Sequence, residues 1–80
     1  MTQEERIAYY ESIMDSAEQK IAGGQDASAE LRELEAYYTS PLWKEDYAAD
    51  EAGLLPKDMK RGVLSQDGID HLLEGAELHG

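Results

Sequence analysis

Apolar residues recur at helical spacing in the first part of the chain. Five of them are separated by 3, 4, 3 and 4 residues, as in the a/d seam of a heptad: Ile7, Tyr10, Met14, Ala17 and Ile21. Thr2, followed three residues later by Glu5, has the form of a capping box. The pattern predicts an amphipathic helix over residues 3–22.

A second stripe follows the turn predicted at Gly23-Gly24, where glycine permits the left-handed backbone that ends many helices. Its members, at spacings of 4, 3 and 4, are Ala27, Leu31, Leu34 and Tyr38. Asp26 is placed to cap a helix over residues 27–39. Two apolar stripes joined by a short turn predict an antiparallel helical hairpin.

The second half of the chain contains signals for two further helices. Ser40-Pro41 is typical of a helix start, and Gly53 predicts that this third helix ends near Glu51 or Ala52. Residues 56–61 fit a single turn. Ser65 is the predicted N-cap of a short fourth helix, whose buried face is expected to contain Ile69, Leu72, Leu73 and Ala76.

The predicted fold is all-α: an antiparallel helical hairpin covered by a third helix, a turn and a short fourth helix. Eighty residues allow one small domain, with the hairpin at 1–39, the covering helices at 40–80 and a frayed tail at 77–80. We find no alternating pattern typical of a β-strand.

Charge and composition narrow the possible partners. The net charge of −11 disfavours direct binding to nucleic acid or to an anionic membrane, but it permits binding to a basic protein surface. The chain has no Cys, so disulfides and thiolate metal sites are excluded. No apolar run approaches a membrane span, and the acidic start MTQEERIAYY is unlike a signal peptide. We therefore expect a cytoplasmic protein.

The stretch 37–65 gathers the charged residues that could carry function. Acidic Asp46, Asp50 and Glu51 precede the basic residues Lys57, Lys60 and Arg61 across a short chain reversal. We predict structural ion pairs between the two groups. Two alternatives remain open: the carboxylates could hold a hard cation, although the EF-hand pattern is absent, and Lys60-Arg61 could clamp a phosphate or carboxylate.

The aromatic residues have two interpretations as well. Trp43 and Tyr47 lie on one helix face and are either core residues or a contact for a ligand or partner. Tyr9 lies off the first seam and is a better candidate for an exposed contact. His71 has carboxylates nearby in Asp67 and Glu74, yet no set of residues typical of catalysis accompanies it. We predict no enzyme activity, no cofactor and no metal site.

Several motifs of the chain resemble a known family. They include Arg6-Ile7-x-x-Tyr10-Glu11, Tyr37-Tyr38-x-Ser40, Asp46-Tyr47, Asp50-Glu51-x-Gly53 and Lys60-Arg61-Gly62-Val63-Leu64-Ser65. Together with Trp43, Leu55-Pro56 and Asp67, they are similar to small bacterial proteins of domain-of-unknown-function family 4298. Met59 and Gln66 depart from the pattern, and the turn at Gly23-Gly24 looks shortened. The resemblance implies a small helical bacterial or phage-borne protein and carries no established activity.

The function expected from these observations is a non-enzymatic protein-interaction or regulatory module. The candidate contact residues for a protein partner are Tyr9, Trp43, Lys57, Lys60 and Arg61, and a homodimer is a further expectation. The alternative is a DNA-mimicking inhibitor whose carboxylates imitate phosphates. Its surface would include Glu11, Asp15, Glu18, Glu30 and Glu33.

Overall fold

The computed structural model describes the backbone of residues 1–79 and the side chains of residues 1–75. Over these residues the fold is all-α and contains no strand, as predicted. The helices are α1 (Gln3–Ala22), α2 (Ser28–Tyr38), α3 (Pro41–Glu51) and α4 (Gln66–His79), with a 3₁₀ turn at Gly62–Leu64 before α4. The predicted buried position of Ala76 falls outside the described side chains. Residues 77–79, predicted as part of a frayed tail at 77–80, continue α4, and residue 80 lies outside the described backbone.

Local signals at the helix ends account for these bounds. Thr2 and Glu5 form the predicted capping box of α1. Both α1 and α3 end in a glycine with φ of +72°, namely Gly24 and Gly53. In each case the residue after this glycine donates a backbone hydrogen bond to the carbonyl five positions earlier, as in a Schellman motif; Leu54 N donates to Ala49 O at 3.0 Å.

The start of α2 lies one residue later than the sequence indicates. Ala27 is the N-cap residue, and Asp26 accepts a hydrogen bond from the backbone N–H of Ser28 at 3.0 Å. At α3, Ser40 is the N-cap residue as predicted, but its hydroxyl donates backward to Tyr37 O at 2.6 Å. Ser65 Oγ accepts from Gly68 N at 3.2 Å at the start of α4.

The core lies where the hairpin meets the 3₁₀ turn and α4. Its largest fully buried apolar side chains come from α1, α2, the 3₁₀ turn and α4: Ile7, Leu34, Val63, Leu64 and Ile69. The segment 56–61 contains the predicted turn, at Pro56–Met59. The 3₁₀ turn packs against α1, α3 and α4, and thereby occupies the centre of the molecule.

The two predicted hairpin seams are only partly correct. In α1, Ile7, Met14 and Ala17 are buried, but Ile21 is 37% exposed because it lies next to the turn at the end of the hairpin. In α2, Tyr37 is buried and Tyr38 is half-buried.

The buried stripe of α2 therefore differs from the predicted one. It consists of Ala27, Glu30, Leu34 and Tyr37. Leu31 and Tyr38 lie instead on the side of α2 that is close to α4. Ala27 and Leu34 are buried as predicted, but Glu30 and Tyr37 replace Leu31 and Tyr38 as the other two most buried positions. The prediction missed them because both carry polar groups.

The backbone conformation at Gly53 leads to a prediction with an internal control. An added Cβ would meet no neighbour there, but φ of +72° is strained for any other residue. We expect Gly53→Ala to lower the free energy of unfolding by about 1 kcal/mol. Gly75, which is helical and also has open space around it, is the control. Gly75→Ala should raise the free energy by roughly 0.5–1 kcal/mol. Urea unfolding of both variants tests this, and a stabilising Gly53→Ala would contradict it.

Candidate functional site

The most distinctive chemical group in the molecule is the carboxylate of Asp46, which is 0% exposed. It lies on the buried face of α3 between Trp43 and Ala49, three residues from each. Three residues of α1 and α2 donate hydrogen bonds to it. Arg6 forms a two-pronged contact, with Nε 3.0 Å from Oδ2 and Nη2 2.5 Å from Oδ1.

Gln3 and Tyr37 complete the coordination of this carboxylate. Gln3 Nε2 donates to Oδ1 at 3.0 Å, and Tyr37 OH donates to Oδ2 at 2.5 Å. We call Gln3, Arg6, Tyr37 and Asp46 the Asp46 network. Since these residues belong to α1, α2 and α3, one side chain connects three helices. Each carboxylate oxygen accepts two hydrogen bonds, which is close to its full capacity.

The electrostatics of the network favour an ionised Asp46. Burial alone would raise its pKa, but the hydrogen bonds from Arg6, Tyr37 and Gln3 outweigh burial and lower the pKa below its ordinary value. The pKa of Tyr37 is raised by burial and by the adjacent Asp46 carboxylate. The Tyr37 ring also stacks on Tyr10, with centroids 3.9 Å apart. The network is thus a fixed ion pair. A general base works best when its pKa lies near the working pH, whereas the pKa of Asp46 is lowered.

The position of Asp46 corrects the ion-pair prediction. Asp46 does not pair with Lys57, Lys60 or Arg61, because it faces α1 and α2 and meets Arg6 there. The sequence does contain a signal for this arrangement. Asp46 lies three residues from Trp43, so it falls on the face that Trp43 buries, and a carboxylate on such a face requires a partner. Arg6, adjacent to the seam residue Ile7, was the partner that the sequence reading missed.

The remaining predicted ion pairs have mixed outcomes. Arg61 Nη1 lies 2.7 Å from Asp50 Oδ1, so this pair is confirmed. Glu51 forms no ion pair among the described side chains; its carboxylate is close enough to Tyr47 to raise the pKa of that tyrosine. Lys60 forms none within the same residues either. The chain reversal places Lys60 against α1, in a small groove with Glu11, Asp15 and Met59.

The candidate contact residues are dispersed. Trp43 is 7% exposed and donates from Nε1 to Val63 O at 3.0 Å, which agrees with its interpretation as a core residue. Tyr9 is 39% exposed, and its hydroxyl donates to Glu33 Oε1 at 3.1 Å. Lys57 and Lys60 are exposed, whereas Arg61 is half-buried beside Asp50.

A second polar contact fixes the 3₁₀ turn. Glu11 Oε2 accepts from Val63 N at 2.8 Å, while Trp43 donates to the carbonyl of the same residue. Both backbone groups of Val63 are therefore bound by side chains, one from α1 and one from α3. A Cβ at Gly62 would lie 3.0 Å from Glu11 Oε1, so a larger residue there would force the Glu11 carboxylate to shift; the backbone angle of Gly62 is not unusual.

The carboxylates proposed for DNA mimicry are partly engaged within the molecule. Glu11 accepts from Val63 N, and Glu33 accepts from Tyr9. Glu30 is buried with Oε2 2.7 Å from Lys20 Nζ, although no well-aligned hydrogen bond reaches that oxygen. Of the five carboxylates, only Asp15 and Glu18 have no such contact among the described residues.

The described part of the chain shows neither a metal cluster nor a membrane helix. Among the side chains of residues 1–75, no three His, Cys, Asp or Glu residues converge as they would around a metal ion. His71 is exposed. Within the described residues, each helix is too short or too polar to cross a membrane.

These features define a small four-helix protein with an internally bound carboxylate and an acidic exterior. The chain belongs to the family described as domain of unknown function (DUF4298), whose model matches residues 2–78 and so covers nearly all of it. The resemblance noted in the sequence is thereby confirmed. No curated protein and no solved structure matches the chain.

Tyr37→Phe tests the contribution of the Asp46 network to stability. The change keeps the ring that stacks on Tyr10 but removes one donor to a buried charge. We expect the free energy of unfolding to fall by about 1.5–3 kcal/mol. Tyr9→Phe is the matched control, because it removes a hydroxyl that contacts an exposed carboxylate; its expected effect is below about 0.5 kcal/mol. Equal effects of the two variants in urea unfolding would be inconsistent with this account.

The lowered pKa of Asp46 predicts a pH dependence of stability. Because this pKa is lower in the folded protein, the network stabilises fully above the unfolded-state pKa of about 3.9. That contribution is lost as the pH falls through the lower, folded value.

We therefore expect Asp46→Asn to destabilise most above about pH 5 and progressively less toward pH 3. Unfolding free energies of both proteins measured across this range provide the test. A difference that stays constant with pH would show that the charge of Asp46 is not involved.

Proposed function

We propose that the chain is a non-enzymatic protein-binding module that takes a basic partner. The observation that carries this proposal is that the polar and aromatic side chains of the interior are used for structural contacts, which leaves the surface for binding. Asp46, Trp43 and Arg61, the side chains best suited to chemistry or recognition, are engaged in structural contacts. Binding to another molecule would therefore use the residues on the surface.

That exterior is strongly acidic. Among the described side chains, eleven exposed residues are acidic and four are cationic, namely Arg32, Lys44, Lys57 and Lys60. A surface of this kind attracts a basic protein at long range and repels nucleic acid and anionic lipid. Exposed apolar side chains are present beside these charges: Leu42 is 44% and Leu54 is 75% exposed. A binding module needs both kinds of group, since charge speeds association and apolar contact holds the complex.

Affinity capture followed by titration tests this function. The immobilised protein is exposed to a lysate of the organism that encodes it, and captured proteins are identified, purified and titrated by calorimetry. We expect a partner with a basic surface, bound with a Kd of about 10 µM or lower and more weakly as salt rises.

A charge-neutralised variant is the control for this experiment. It carries Glu18→Gln, Glu35→Gln, Glu45→Gln and Glu74→Gln, all at exposed positions, so that the fold is retained. The variant should bind the partner more weakly. If no protein binds, or if the variant binds the partner as tightly as the original chain, the proposal is wrong.

A further inference from the structure

An open groove of about 420 Å³ lies between α2 and α4. Its apolar floor is formed by Leu31, Tyr38 and Leu73, all of which are only half-buried. The groove exists because α2 has two apolar faces. One face packs against α1, and the other, which includes Leu31, faces α4 without being fully covered.

The floor of the groove is fixed by contact with the core. The Tyr38 ring packs edge-on against Trp43, with centroids 4.8 Å apart. Burial and the neighbouring carboxylate of Asp70 raise the pKa of the Tyr38 hydroxyl. A groove whose floor is fixed by the core needs little rearrangement on binding, and this lowers the cost of association.

The charges around the groove determine which partner it fits. Three carboxylates, those of Glu35, Asp70 and Glu74, line it together with the single guanidinium of Arg32. This excess of negative charge matches the acidity of the whole chain. A second copy of the chain would bring the same carboxylates and another net charge of −11 to the interface, which disfavours self-association.

We propose that the groove between α2 and α4 docks a basic amphipathic helix of another protein. A helix laid between two helices presents apolar residues at positions i, i+3, i+4 and i+7, and these would contact Leu31, Tyr38 and Leu73. Its flanking lysines or arginines would pair with Glu35, Asp70 and Glu74. This inference rests on the proposed binding function and names the surface and the class of partner.

A synthetic peptide tests the inference directly. The probe is a capped helical peptide of about 18 residues with leucines at the spacing above and lysines on its other positions. Two matched peptides replace lysine by glutamate or scramble the leucine spacing. Each is titrated into the isotope-labelled protein and followed by amide chemical shifts. We expect the lysine peptide alone to bind, with the largest shifts at 28–39 and 66–75.

Two charge-reversal variants locate the contact. Glu35→Lys/Glu74→Lys changes the rim of the groove at exposed positions and should weaken binding of the lysine peptide by about tenfold or more. Glu18→Lys/Asp58→Lys makes the same change in charge at exposed positions that do not line the groove. It should weaken binding by about threefold or less.

Three results would overturn the inference. Equal loss in the two variants, or shifts spread over the whole surface, would mean that only general acidity attracts the peptide. Sedimentation showing a dimer that the Glu35→Lys/Glu74→Lys variant alters would mean that a second copy occupies the groove. A partner captured from the lysate whose binding ignores this variant would place the contact elsewhere, while the proposed binding function would still hold.

Discussion

The structure depends on the need to satisfy one buried carboxylate. An ionised Asp46 without partners would cost several kcal/mol in the interior, which is comparable to the whole stability of a domain of this size. This cost is offset only when Arg6, Gln3 and Tyr37 all donate hydrogen bonds to the Asp46 carboxylate. Because these residues come from two other helices, α3 has one position in which the carboxylate is satisfied. The network therefore specifies how α3 sits on the hairpin, and any misplacement of α3 leaves a charge unpaired.

The rest of the core is arranged around that fixed helix. Trp43, one turn before Asp46 on the same face of α3, donates to Val63 O and so places the 3₁₀ turn. Glu11 binds Val63 N from the side of α1. The backbone of a single residue is thus connected to two helices, and Leu64 and Ile69 follow into the core. The exposed or half-exposed pair of Arg61 and Asp50 is of secondary importance, since such pairs contribute about 0–1 kcal/mol.

The helices could be predicted from sequence because their signals are local. A capping box, Ser-Pro at a helix start and glycine at a helix end each act within a few residues, and α1 and α3 have nearly the predicted bounds. The predicted stripe of α2 was only half correct, for a physical reason. Hydropathy favours Leu31 and Tyr38, but the polar groups of Glu30 and Tyr37 can be buried once Lys20 and Asp46 bind them. A pattern of apolar residues cannot detect a buried polar group whose partner lies far along the chain.

The same limitation applies to the candidate site. The stretch 37–65 was expected to pair its own charges, and only Arg61 and Asp50 do so. The groove between α2 and α4 could not be predicted, because it depends on which face of α2 meets α1. Once Asp46 binds the Tyr37 hydroxyl, Leu31 and Tyr38 are turned toward α4. The buried network and the proposed docking surface are thus two consequences of one helix orientation.

A double-mutant cycle on Arg6 and Asp46 tests this account most directly. The free energy of unfolding is measured for Arg6→Met, Asp46→Ala and the double variant, with a parallel cycle of Arg61→Met and Asp50→Ala as the control. The account predicts a coupling energy of about 2 kcal/mol or more between Arg6 and Asp46, and below about 1 kcal/mol for the control pair. Coupling energies that agree within about 0.5 kcal/mol would contradict the account.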